Sequence, residues 1–100
     1  MNFSVPDSTF QLRKLAKRTF ATHIKDTNPA TGSPRDWTFW PSAPAGTGII
    51  DMAAVIGALH DGGNDGMLCV EIDFMKDKQA NEVQAVEVAV NNLRRLVREL

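Results

Sequence analysis

A chain of 100 residues with 43% hydrophobic and 23% charged side chains has the composition of an ordinary globular domain, which excludes a disordered or fibrous protein. Eleven basic against twelve acidic residues leave a formal net charge of −1, so no broad positive field is present for nucleic acid or an anionic membrane. The single cysteine rules out an internal disulfide, and neither a basic-then-apolar leader nor an apolar run near the roughly 20 residues of a spanning helix occurs, so the expected location is the cytoplasm.

Asp7 and Ser8 stand as caps of a first helix, whose apolar positions Phe10, Leu12, Leu15 and Ala16 follow the helical period and whose far end carries Lys14, Lys17 and Arg18. The β-branched and aromatic stretch Thr19-Phe20-Ala21-Thr22-His23-Ile24 follows at once and reads as a buried strand that stops at Lys25-Asp26. From Thr27 to Gly48, four prolines and three glycines prevent either period from being sustained, which predicts one long loop. Loops of this length are uncommon in compact domains and often serve as lids or binding loops. Asp51 then caps a helix with Met52, Val55, Ile56 and Leu59 on one stripe, ended by Asp61-Gly62-Gly63. Met67 to Ile72 is an apolar run broken only by Glu71, as expected of a parallel strand covered on both faces, and Cys69 within it reads as a buried, inert thiol. Val83, Val86, Val90, Leu93 and Val97 recur at three and four on a terminal helix, a stripe that core packing explains, with Arg94, Arg95, Arg98 and Glu99 on its other side.

Helix, strand, long loop, helix, strand, helix is the order of βαβ units around a parallel sheet. Two parallel strands leave both sheet edges unpaired, so the intact fold is expected to contain more strands. In (β/α)8 barrels the chemistry sits at the C-terminal ends of strands and on the loops that follow. His23 and Glu71 hold those positions, and an imidazole beside a carboxylate suits a divalent ion such as Mn²⁺, Co²⁺, Zn²⁺ or Mg²⁺.

The segments His23-Ile24-Lys25-Asp26, Pro44-Ala45-Gly46-Thr47-Gly48-Ile49-Ile50-Asp51, Ala58-Leu59 and Asn64-Asp65-Gly66-Met67-Leu68-Cys69-Val70-Glu71 resemble the C-terminal part of the sugar phosphate isomerase/epimerase family, over roughly residues 2–96. The resemblance implies an α/β fold: the C-terminal fragment of a xylose-isomerase-like TIM barrel, spanning residues 1–100 as helix, seventh strand, long loop, seventh helix, eighth strand and eighth helix. It also implies His23 as the metal-binding histidine closing the seventh strand, and Glu71 as the metal-binding glutamate closing the eighth, which exchanges a proton with the substrate. The implied reaction is proton abstraction beside a carbonyl, through an enediolate, with the ion polarising sugar oxygens. A metal-binding glutamate and aspartate of the family pattern have no counterpart in this sequence. Asn2 matches the asparagine of a Gly-Asn pair that follows that aspartate, so the chain reads as a truncated piece.

The remaining candidates have two readings each. Lys25 either reaches a substrate hydroxyl or phosphate or is solvated with Asp26 at the strand end, and Arg35 either clamps a substrate oxygen or is solvated. Trp37, Phe39 and Trp40 either stack on a sugar or form a hydrophobic loop core, within a loop 27–48 expected to act as lid or substrate loop. Gly46 and Gly48 suggest a phosphate loop weakly and a tight turn into the next helix more strongly, while His60 is explained by the dipole at its helix end.

Three functions follow: an isomerase or epimerase piece acting on a small sugar or sugar phosphate; a non-catalytic remnant or self-associating module that holds metal or sugar; and, within the same superfamily, an abasic-site endonuclease, against which the near-neutral charge counts. Exposed strand edges predict a homo-oligomer or a complementing barrel fragment rather than a monomer. No nucleic acid and no membrane are expected as partners.

Overall fold

The computed structural model describes residues 8–28, 42–72 and 82–100. Helix α1 (Ser8–Leu15) tightens into a 3-10 turn at Ala16–Arg18, where the Thr19 hydroxyl donates to the Leu15 carbonyl at 3.0 Å and the Thr19 N–H to that of Ala16 at 3.1 Å. Arg13, Lys14, Lys17 and Arg18 crowd this end, where cations oppose the negative pole of the helix. The expected cap at Asp7 lies outside the described residues.

Strand β1 (Ala21–Ile24) begins two residues later than the apolar pattern suggests. A two-residue strand β2 (Asp26–Thr27) pairs antiparallel with β3 (Ser42–Ala43), so the expected unbroken loop 27–48 is pinched at its base instead. Helix α2 (Met52–Asp61) starts where its cap predicts: Asp51 Oδ1 accepts from the Ala54 N–H at 3.0 Å. Strand β4 (Met67–Val70) lies parallel to β1, with Ala21 opposite Met67 and His23 opposite Cys69. Asn64 fixes this pairing. Its side-chain amide donates to the carbonyls of Ala16 and Thr19, and its Oδ1 accepts from the Gly66 N–H, so the end of α1 and the start of β4 are tied at one side chain. Helix α3 (Glu82–Arg98) closes the order, and none of the described helices is long and apolar enough to cross a membrane.

The described elements are thus a mixed α/β arrangement with a parallel strand pair. All three helices contribute to one core. Ile24, Leu68 and Val70 face it from the sheet; Met52, Val55, Ile56 and Leu59 from α2; Ala16, Ala89 and Leu93 from the other helices. Alternation along a strand turns successive side chains to opposite faces, so Ala21 and His23 look away from this core, as do their partners Met67 and Cys69. That second face carries no layer among the described residues, and Met67 is 68% exposed on it. Coverage on both faces, expected from the apolar run, is not what the described residues form. Cys69 is correspondingly only half-buried rather than sealed in a core.

Helix α3 departs further from expectation. Val83, Val86 and Val97 point to solvent, while Ala85, Ala89 and Leu93 are buried. Small alanines let the backbone approach its neighbours closely, and this contact turns the valine stripe off the core. Leu15, also expected inside, is exposed because the 3-10 turn rotates Ala16 inward in its place.

Candidate metal centre

Parallel pairing brings the two strand-end donors together. Glu71 follows β4 directly, and its N–H still donates to the Ile24 carbonyl at 3.0 Å, which extends the ladder by one bond. With His23 opposite Cys69, the side chains of His23 and Glu71 rise on the same uncovered face, and His23 Nδ1 lies 3.2 Å from Glu71 Oε2. The side chains are 74% and 34% exposed, respectively. A carboxylate sunk in an apolar run would need a partner to offset its desolvation, but Glu71 reaches solvent, so that argument for a ligand role falls away. Geometry replaces it.

One imidazole nitrogen and one carboxylate oxygen are borderline donors that suit a divalent transition metal or zinc. At ordinary metal–ligand bonds of about 2.0–2.2 Å, two atoms 3.2 Å apart can both bind one ion. The donor chemistry therefore fits. Among the described residues, no group of three or more His, Cys, Asp or Glu side chains is placed to hold a metal ion, so the pair supplies only part of a site that takes four or more donors.

Asp26, expected to be solvated with Lys25 at the strand end, is instead 0% exposed. Its Oδ1 accepts from the N–H groups of Thr27 at 2.8 Å and Ile50 at 3.1 Å, and its Oδ2 from those of Gly46 at 3.0 Å and Gly48 at 2.9 Å. A carboxylate has about four lone-pair sites, and all four are used here. The turn around it is shaped to match. Gly46 has φ 91°, a conformation that side chains with a Cβ resist, and a Cβ on Gly48 would collide with the Asp26 carboxylate and the Thr27 carbonyl. The Asn92 side chain donates to the Ala45 carbonyl at 2.9 Å, fastening the same turn to α3. Gly46 and Gly48 thus serve a turn into α2, the stronger of the two readings of their pattern. Sequence reasoning missed the role of Asp26, although the pairing of an aspartate after the strand with a downstream Gly-x-Gly was visible.

A cavity of about 600 Å³ adjoins this region. Its wall includes every residue from Thr22 to Thr27, and consecutive residues of both faces are reached together only along a strand edge. Leu12, Val55 and Leu59 are among its apolar lining, and His23, Lys25 and Glu71 among its polar lining. Lys25 thus lines the same cavity as the pair. Arg35, Trp37, Phe39 and Trp40 lie outside the described residues. His60 sits exposed at the end of α2, away from this group.

Compared with known proteins, the chain matches the family described as the xylose isomerase-like TIM barrel over residues 2–96. No curated protein matches it.

Proposed function

The chain belongs to the xylose isomerase-like TIM barrel family, and from that premise we propose that it carries part of the metal-holding rim of a sugar or sugar-phosphate isomerase or epimerase. The observation that supports this reading is the meeting of His23, the second-last residue of β1, with Glu71, the first residue after β4, 3.2 Å apart at the C-terminal ends of two adjacent parallel strands. In this reading residues 1–100 form the last part of the barrel, with β1 as its seventh strand and β4 as its eighth, and loop 27–48 lies over the mouth. The two further carboxylate ligands come from strands beyond these.

A divalent ion such as Mn²⁺, Co²⁺, Mg²⁺ or Zn²⁺, held by His23 and Glu71, would polarise the sugar's oxygens when bound. Glu71 takes a proton from the carbon beside the carbonyl, leaving an enediolate, and a second carboxylate from beyond the described residues returns a proton to it, with the two acting as base and acid. Lys25 faces a substrate hydroxyl from the same cavity, with Arg35, Trp37 and Trp40 completing the substrate's surroundings. Calorimetric titration with Mn²⁺ tests the reading. Loss of affinity of about tenfold or more in the His23→Ala, Glu71→Ala double variant is expected, and equal affinities would remove the metal site from the argument.

The second reading, a self-associating module that holds metal or sugar without turnover, is favoured by the uncovered sheet face and the exposed valines of α3. Light scattering at rising concentration separates it from a lone subunit: a compact 11.0 kDa monomer throughout would count against it.

A further inference from the structure

We propose that the outer face of α3 is a dimerisation surface whose occupant is the same helix of a second copy of this chain, lying antiparallel across a two-fold axis at Val90. The inference deepens the self-association reading by naming its surface, and it makes no use of the metal rim. Val83, Val90 and Val97 recur at every seventh residue, and a seven-residue step falls about 20° short of two full helical turns. The three therefore form a nearly straight stripe about 21 Å long, with Val86 beside it. Val83 is 73% exposed, Val86 45% and Val97 47%, and Val90 is half-buried at the centre of the stripe. Valine is a weaker helix former than alanine or leucine because the preceding turn restricts its χ1, so at a water-facing position it costs helix stability and gains no burial. A partner that covers the stripe offsets that cost.

The charges beside the stripe select the partner. Glu87 and Arg94 lie on one flank of the valines, again one seven-residue step apart; both are exposed, and neither makes an ion pair among the described residues. Turning α3 end over end about Val90 sets Val83 on the partner's Val97 and Val97 on the partner's Val83. The same turn brings Glu87 to within about 1.5 Å, along the axis, of the partner's Arg94. An antiparallel pair keeps the same flank of both helices together, so two Glu87–Arg94 pairs close the contact. A parallel pair joins opposite flanks and sets Glu82 against the partner's Glu87, two like charges. The pattern is complementary to itself, which is what a two-fold contact requires. Ala85, Ala89 and Leu93, on the side of α3 away from Glu87 and Arg94, are already buried in the chain's own core, so the stripe is covered without unpacking that core. Four valines a side make a patch smaller than a standard interface, so the dimer is a weak one, with a Kd of about micromolar order.

Sedimentation equilibrium on the full chain tests this. The wild type is expected to dimerise, and the Val83→Lys, Val97→Lys double variant to weaken the dimer by about a hundredfold while keeping the wild-type circular dichroism, since both positions are exposed in the fold. Glu87→Arg and Arg94→Glu are each expected to weaken it by about tenfold, because each sets like charges against one another. Combined in one chain, the two charge changes are expected to restore the wild-type Kd, and an equimolar mixture of the two single variants to form the mixed dimer. If the lysine variant fails to fold, the charge series decides alone. A Kd unchanged by the lysine pair, or a charge exchange that restores nothing, overturns the proposal and leaves self-association through another surface standing. A monomer at every concentration up to about millimolar overturns the self-association reading and the proposal together.

Discussion

Asp26 and Glu71 are both carboxylates just past the end of a parallel strand, and they have opposite fates. Asp26 is fully buried and all its lone pairs are taken by main-chain N–H groups; Glu71 is a third exposed and meets one imidazole. The difference shows that position at a strand end does not by itself make a ligand. What distinguishes a carboxylate available for chemistry is that the fold has not already used it, and of these two Glu71 meets that condition.

The sharpest way to break this comparison is Asp26→Ala. It leaves four partly buried N–H groups without their acceptor and should cost about 3 kcal/mol in a urea titration, a large share of the stability of a small domain. A chain as stable as wild type would mean that the turn does not depend on its carboxylate. Gly48→Ala probes the same base more gently. Its new methyl group must displace the Asp26 carboxylate or the Thr27 carbonyl, so a loss of about 1–3 kcal/mol is expected by thermal unfolding. On the other side, His23→Ala should move stability by no more than about 0.5 kcal/mol, because a contact this exposed is screened by water. A larger destabilisation there would make the pair a structural contact.

Much of this contrast is legible in the sequence, and the illegible part has a physical reason. The helical stripe behind Asp51 and the apolar run before Glu71 are local patterns, and local patterns survive in sequence. That His23 and Glu71 would lie near each other could be read from sequence because a parallel pair puts both strand ends on one edge. The role of Asp26 was not recognised, since three of its partners are 20, 22 and 24 residues away and donate through their backbones, which carry no side-chain signature. The valines of α3 misled for another reason: a hydrophobic period reports which side of a helix avoids water, and alanine at Ala85 and Ala89 competes weakly in that count while packing better against close neighbours.

The Asp26 hub also has a consequence for how the chain can vary. By holding Gly46, Gly48 and Ile50 against the strand end, it closes the intervening segment at its root, so the length of that segment is uncoupled from the stability of what lies beneath. Doubling such a loop costs only about 0.6 kcal/mol of closure entropy. The closure term for lengthening the chain between Asn28 and Ser42 is therefore small, because the described clamp already holds its two ends together.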